Sequence, residues 1–445
     1  MDILPLFACF EPLLPTVSIR RLAVVAQAVL TMTGRITMLG IARWSEKGGS
    51  YRTVNRFFAT KLPWREMFAK FFETHIFNTE HEYILAGDET VVSKSGAETF
   101  GIDRFFSGLK GKVIRGLSFF VVSLVDVRER KSYPLSVKQN LLKSEAEKQA
   151  SKSRRKRKRR LPKAVRGRSK GSRNRDKNEV NLSPELLRIN EMLQSLGKFI
   201  RHFMKVKYLA MDGHFGHHQA VLMARINDLQ LISKLRRDAA LYEKYAGIYG
   251  GRGAKKKYGT RLKYDLLPLG YLRESKQEKD IITNYYQGIF LHKEFGCELN
   301  VVIIVKINVQ TKKMGHAILF SSDVELDWEK LVEYYSLRFQ IEFNFRDAKQ
   351  HFGLEDFMNT TEVGVENAAN LAFMMILLSA KLIKNRQEKQ VGINDLKTHY
   401  RGVKYAVLTL KKVLQKPEPI LMKQIIEEVS RLGSIYQPKS ATSTT

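Results

Sequence analysis

The sequence predicts an α/β protein whose core is interrupted by a β-rich insertion, with a helical region in front and further helices behind. Three observations point there. Residues from about 17 to 78 show helical spacing without strand patterning. From about 81, runs rich in β-branched and aromatic residues have strand length, and between about 184 and 235 helix and strand alternate. A chain of 445 residues with 44% hydrophobic content is long enough for two or three domains with real cores.

The elements follow in order. Leu22, Val25, Ala26, Val29 and Leu30 keep one face of a first helix, and Gly34 suits its C-terminal stop. A short helix over 36–44 leads into a Ser-Glu-Lys-Gly-Gly turn. Ser50 is placed to N-cap a third helix over 51–59, which carries Arg52 and Arg56 beside Phe57 and Phe58. Helix, turn and basic helix is the order of helix-turn-helix DNA recognition; a helical bundle with a solvated basic face fits as well. Strands are expected over 83–92, 113–127 and 133–137, then a helix over 184–203, a strand over 208–211, a helix over 216–227 and a strand over 229–235. A Gly-rich stretch at 248–253 opens a segment with strands over 281–291, 300–309 and 316–320. The organisation read from this is a helical DNA-binding region at 1–80 and a first part of the core at 81–238. A β-rich insertion at 239–322, a last part of the core at 323–360 and a C-terminal helical region at 361–445 complete it. Residues 437–445 are polar and expected to fray.

Composition narrows the partners. Formal net charge is +31, from 76 basic and 45 acidic residues. Fifteen of the basic residues fall between Lys152 and Lys177 with Asp176 as the one acid, yet the rest of the chain is basic too. Such an excess favours a polyanion, and nucleic acid is the usual one. The segment 152–177 is too charged to pack and reads as a loop contacting DNA backbone or merely solvated. No helix reads as a basic amphipathic membrane anchor, and the start lacks the charged region of a signal peptide. The longest apolar run, Ala368 to Ala380, is too short for a bilayer and reads as a buried helix in a soluble protein. Cys9 and Cys297 have no metal-ligand spacing, which argues for a reducing compartment and against zinc–thiolate chemistry.

The chemistry concentrates in a few residues. Tyr335, Arg338, Glu342 and Lys349 follow Y-x2-R-x3-E-x6-K; on one continuous helix, at roughly 100° per residue, they share an arc of about 60°. A carboxylate flanked by cations can hold a divalent metal while its neighbours grip phosphate oxygens. Asp88 lies within the first expected strand, and Asp212 ends another just before Gly213. Attack on a phosphodiester needs a deprotonated nucleophile and a stabilised leaving oxygen, which two divalent ions held by carboxylates supply. Asp88, Asp212 and Glu342 form the candidate set. Glu89 points to the opposite face of its strand, Glu333 and Asp347 project away from Glu342, and Asp126 is a weaker, accessory candidate. His214, His217 and His218 offer either a zinc site or a loop, and Trp328 either core packing or a base-stacking ring.

These motifs resemble the signature of DDE transposases from bacterial insertion sequences, within the insertion-sequence-four superfamily and near its seven-oh-one branch. The segment Leu337 to Lys349, Gly87-Asp88 leading to Lys94-Ser-Gly96, and Met211-Asp212-Gly-His-Phe215 all carry the likeness. The resemblance implies a ribonuclease-H-like catalytic core with Asp88, Asp212 and Glu342 as catalytic, metal-holding acids and a β-rich insertion between the second and third. It implies two Mg²⁺ ions, with Mn²⁺ as a substitute, and DNA contacts by Tyr335, Arg338 and Lys349; Lys94, Arg52 and Arg56 join these as DNA-binding candidates. The implied activity is cleavage of double-stranded DNA at terminal inverted repeats and strand transfer into target DNA. The implied assembly is a synaptic homodimer in the bacterial cytoplasm, associated with the nucleoid and not with a membrane. A stand-alone metal-dependent endonuclease on the same core and a domesticated DNA-binding protein are the alternatives.

Overall fold

The computed structural model describes residues 3–45, 48–108, 110–141, 176, 178–249, 251, 253–386, 391–412 and 418–430. The basic run at 152–177 (Asp176 apart) and the polar tail at 437–445 lie outside the described residues. After a 3-10 helix at Leu4–Phe10 come α1 (Thr16–Thr31), α2 (Met38–Trp44), α3 (Tyr51–Ala59) and α4 (Trp64–His75). Next are β1 (Tyr83–Ser93), β2 (Asp103–Ser107), β3 (Lys112–Asp126) and β4 (Lys131–Asn140), then α5 (Pro184–Ile200), β5 (Tyr208–Met211), α6 (His218–Ile226) and β6 (Gln230–Leu235). The strand-rich stretch holds β7 (Leu241–Lys244), β8 (Tyr258–Arg261), β9 (Leu272–Glu278), β10 (Ile281–His292), β11 (Glu298–Asn308) and β12 (Met314–Ser321). Helices α7 (Trp328–Leu337), α8 (Gln340–His351), α9 (Glu362–Lys384), α10 (Ile393–Lys412) and α11 (Pro419–Ser430) follow.

The chain divides into two compact units. The first comprises Met1–Lys138, Met192–Val206 and Phe339–Thr445; the second comprises Gln139–Glu191 and Lys207–Arg338.

In the first unit β1 and β3 pair antiparallel, with Tyr83 opposite Asp126 and Asp88 opposite Val121, and β2 and β4 also pair with β3. From Gly116 to Asp126 every residue of β3 is buried, so both faces of this sheet are covered. On one face α4 lies against it, Phe72 contacting Tyr83 at 5.7 Å and Tyr133 at 5.6 Å between ring centroids. On the other lies α8, whose buried Asn344 donates to Ser132 Oγ (2.8 Å) and Ser123 Oγ (3.3 Å). A buried amide is tolerable because both hydroxyls accept from it. Ser50 N-caps α3 by accepting from Thr53 N–H. At the other end of α3, Asn367 of α9 donates to the carbonyls of Phe57, Phe58 and Thr60 and accepts from Trp64 Nε1 at 2.7 Å. The orphan carbonyls that end a helix thus find a side-chain partner 307 to 310 residues away. Lys404 of α10 donates to the Trp44 carbonyl and Arg401 to that of Thr31, so the first and last helices pack in one body with β1–β4. Helix α9 is long and apolar enough to cross a membrane by length and composition, but its apolar residues are buried within this unit.

In the second unit the sheet order is β5-β6-β12-β11-β10-β7-β8, with β9 also on β10. Only β5 and β6 are parallel among the pairs whose register is resolved here. Tyr208, at the start of β5, donates to Asp323 at 2.8 Å, and Asn300, fully buried, donates to the carbonyls of Asp323 and Leu326. These bonds lock the turn after β12 against the strand that leads to Asp212.

Candidate active site

Asp88 sits mid-strand on β1, half-buried, with one carboxylate oxygen accepting from Glu89 N–H at 2.8 Å. Directly opposed residues of an antiparallel pair share a face, and alternate residues along a strand do too. Ser123 opposes Ala86, so the hydroxyl bonded to Asn344 of α8 lies on the face of Ala86 and Asp88. Helix α8 therefore covers the Asp88 side of β1. Glu89 faces the other way and is bonded to Ser118 Oγ.

Two contacts fix how α8 runs. Asn344 is level with Ala86 through Ser123, and Lys349 Nζ donates to the Val91 carbonyl at 3.0 Å. The helix thus advances in the direction of β1, and Asp88 lies between those two levels. Glu342 and Lys349, seven positions apart, share one stripe of α8, the stripe that touches β1 through Lys349. The Glu342 carboxylate is exposed in the first turn, and no hydrogen bond or ion pair closes on it among the described residues. Burial pushes the Lys349 ammonium below its ordinary range, while Glu355 and Glu342 pull it back up.

Asp212 follows β5 directly. Its carboxylate caps the 3-10 turn Gly213–Phe215 by accepting from His214 N–H at 3.1 Å, and Ser233 Oγ of β6 donates to its carbonyl at 2.6 Å. Gly216 lets this turn press onto β6, since a Cβ there would lie 2.3 Å from the Lys234 carbonyl oxygen. Asp212 belongs to the second unit, Asp88 and Glu342 to the first.

The four-residue stripe read from the sequence is divided. Helix α7 ends at Leu337 and α8 begins at Gln340 with Glu342 N–H bonding three residues back to Phe339, so no single helical arc joins the four. Tyr335 and Arg338 stay in the second unit, the guanidinium 5.9 Å from the Tyr335 ring centroid, while Glu342 and Lys349 open the returning part of the first. Arg338 and Phe339 both keep right-handed helical dihedrals, and neither Gly nor Pro marks the break.

The remaining candidates divide between exposed and structural positions. Arg52 and Arg56 are exposed on α3, whose opposite face buries Val54, Phe57 and Phe58. Lys94 instead turns into its own unit, donating to the carbonyls of Glu355 (2.9 Å) and Phe357 (2.8 Å) with its ammonium 3.6 Å from the Phe357 ring centroid. Burial pushes that ammonium down to about 8. The three histidines do not converge: His214 pairs with Glu185, His217 caps α6 and buried His218 accepts from Gly296 N–H. Trp328 opens α7 against Tyr285, with ring centroids 4.9 Å apart.

Among the described residues one group has metal-ligand proximity, His81, Asp126 and Glu129, with ligand atoms within 4.8 Å of one another. It is a closed network. His81 Nδ1 lies 2.6 Å from Asp126, Glu129 N–H donates to the same carboxylate, and Tyr133 and Lys384 bond Glu129. Asp126 opposes Tyr83, five residues and one strand face away from Asp88, so this group is separate from the Asp88 site. The accessory role considered for Asp126 does not fit this position.

A family model described as a DDE superfamily endonuclease matches residues 9–280, a span that holds Asp88 and Asp212 and ends before Glu342. Among solved structures, a synaptic complex of piggyBac transposase with hairpin DNA is similar over 97% of this chain and 79% of that one, at 10% identity and a TM-score of 0.39. A search among curated proteins found no match. With the α/β architecture described above, the family match bears out the ribonuclease-H-like core expected from the sequence, and the chain belongs to the DDE superfamily of endonucleases.

Proposed function

We propose that this endonuclease is a transposase of a bacterial insertion sequence, of the insertion-sequence-four superfamily, cutting DNA at the element's terminal repeats and joining the freed 3′-hydroxyls to target DNA. The observation that carries the reading is the placement of α8 on the Asp88 face of β1, which brings the exposed Glu342 carboxylate to the side where Asp88 faces. Carboxylates of this kind suit hard divalent cations such as Mg²⁺, which take oxygen ligands, and among the described residues no hydrogen-bond donor closes on Glu342. Asp88, Glu342 and, from the second unit, Asp212 are the residues that would hold two such ions. When bound, the ions lower the pKa of the attacking water or 3′-hydroxyl and stabilise the leaving oxygen.

The chain's own residues orient the substrate. Lys349 keeps N–H donors beyond the one given to Val91, and an ammonium held beside Glu342 can grip a phosphate oxygen next to the scissile bond. Arg338, steadied against Tyr335, offers a guanidinium fork for a second phosphate. Arg52 and Arg56 on α3 would read the terminal repeat in a groove. Two copies, each acting on one DNA end, would form the synaptic homodimer, in the bacterial cytoplasm.

The test uses a labelled terminal-repeat duplex with Mg²⁺ and a target plasmid, wild type beside Glu342→Gln. Cutting at the repeat boundary followed by joining, both lost in the variant, is the expected result. Cutting without joining would make the protein a stand-alone endonuclease. Specific binding without cutting would make it a DNA-binding protein that has left transposition.

A further inference from the structure

At the far end of α8 from Glu342, the first unit holds a cavity of about 440 Å³ lined by Thr33, His351, Asn394, Lys397, Thr398 and Arg401, among others. Among the described residues its walls carry mainly cationic and polar side chains and no carboxylate. Lys397 Nζ donates to the His351 carbonyl at 2.8 Å, and Arg401 Nε to that of Thr31 at 3.3 Å. Neither side chain has a carboxylate within ion-pair distance among the described residues. The acid acting on Lys397 is Asp356. Asp356 is already engaged, accepting from Ile36 N–H at 3.0 Å and pairing with Arg35 at 3.5 Å.

Three basic groups are thus held against one another. Burial pushes the Lys397 ammonium down to about 8, and Arg401 pushes the same way. The His351 imidazole is held below its ordinary range by burial, with Lys397 and Arg346 adding to the effect and Asp347 opposing it. Holding the Lys397 ammonium against the Arg401 guanidinium in a half-buried pocket is unfavourable unless an anion completes it, and the His351 imidazole, kept toward its neutral form, can add one ring N–H donor. A guanidinium beside an ammonium, with threonine and asparagine groups around them, matches the oxygens of a phosphate group.

We propose that His351, Lys397 and Arg401 form a seat for a phosphate group, and that the group it takes is a backbone phosphate of bound DNA. This rests on the functional reading above only for the identity of the DNA. Gln350 and His351 lie eight and nine residues beyond Glu342, about 13 Å along the helix. Nine positions at roughly 100° each turn His351 about 180° around α8 from Glu342, so the seat lies on another face of the helix from the Glu342 stripe. The seat would hold a backbone phosphate apart from the cutting centre and anchor the bound DNA on the first unit.

The test measures the salt dependence of binding of the full chain to a duplex of arbitrary sequence, without divalent metal, so that cleavage plays no part. Lys397→Met and Arg401→Met should each lower the slope of log affinity against log salt by about one, with Lys397→Arg retaining it. Lys397→Met should fold, because it removes an uncompensated cation; its thermal transition checks this. In wild type, binding should weaken as pH rises through about 8, where Lys397 facing Arg401, His351 and Asp356 loses its proton, and the methionine variant should lack that step. Amine acetylation read by mass spectrometry supplies the second measurement. Lys397 should be protected by the duplex. An unchanged slope in a folded Lys397→Met overturns the proposal. So does protection by millimolar inorganic phosphate with none by DNA, which would assign the seat to a free anion. Loss of slope in a protein that fails to cut the terminal repeat would leave the seat standing and sink the transposase reading alone.

Discussion

The two ends of β1 treat charge in opposite ways. At its start, Asp126 and Glu129 are matched on every side: His81 and a backbone N–H serve the first, Tyr133, Lys131 and Lys384 the second. Although burial works against it, Lys384 and Tyr133 hold the Glu129 carboxyl below its ordinary range. Past its middle the pattern inverts. Lys349 and Lys94 meet backbone carbonyls instead of carboxylates and are pushed down by burial, and on α8 the carboxylate of Glu342 stands exposed on the same stripe as Lys349. Charges that serve the fold find their partners inside the chain, as at Asp126. A carboxylate left exposed, as at Glu342, is one that a ligand can complete, and it lies on the side of β1 that α8 shares with Asp88.

The largest effect should come from the open end. Glu342→Ala should lower cleavage by at least about 100-fold, the scale of losing one transition-state stabiliser, with the urea midpoint little changed because the side chain is exposed. Cleavage surviving in that variant would break the contrast at its open side. The closed end should respond in the opposite sense. Asp126→Ala leaves the His81 ring and the Glu129 N–H without their acceptor, which should cost about 2–4 kcal/mol in urea unfolding, and the folded fraction should retain metal-dependent cleavage. If the variant kept its stability and lost its activity, the closed network would be the working centre and Asp88 would not.

Lys94 sharpens the contrast through pH. Its ammonium titrates at about 8 in the folded chain against 10.5 ordinarily. Between those values the unfolded chain binds more protons, so stability rises with pH across that window, and the cost of the buried cation is fully present below it. Wild type should therefore gain stability relative to Lys94→Met as pH climbs from about 8 to 10.5. A difference that stays flat across the window would show the ammonium to be solvated and available to DNA.

Local signals were legible where the chemistry is local. Tyr83 begins a strand and Tyr208 to Met211 is one, Ser50 caps α3, and Asp212 turns at a glycine, all from residue types within a few positions of each other. The division at Arg338 and Phe339 was not legible, because both keep helical dihedrals and neither Gly nor Pro announces it. Nor was the burial of Lys94, whose partners lie 261 and 263 residues away. The joining of the first and last helices depends on Asn367, which in sequence reads only as a polar residue near an apolar run, though it holds three carbonyls of α3 and its exit. Strands β2, β7, β8 and β9 escaped because they are short or too exposed to show apolar alternation.

The smallest expected effect tests whether exposed charge outside the α8 face also serves DNA. Arg52 and Arg56 are solvated on α3, so replacing either with Ala should change stability by less than about 0.5 kcal/mol. If α3 enters a groove, each replacement should reduce preference for the terminal repeat over random DNA, since contacts to base edges specify sequence whereas contacts to phosphates do not. An equal loss on both DNAs, with the salt slope lowered by about one, would make α3 a basic face that holds the backbone. In that case the contrast drawn along β1 would extend to the helical part of the unit, with exposed charge there supplying affinity and sequence discrimination having to come from another element.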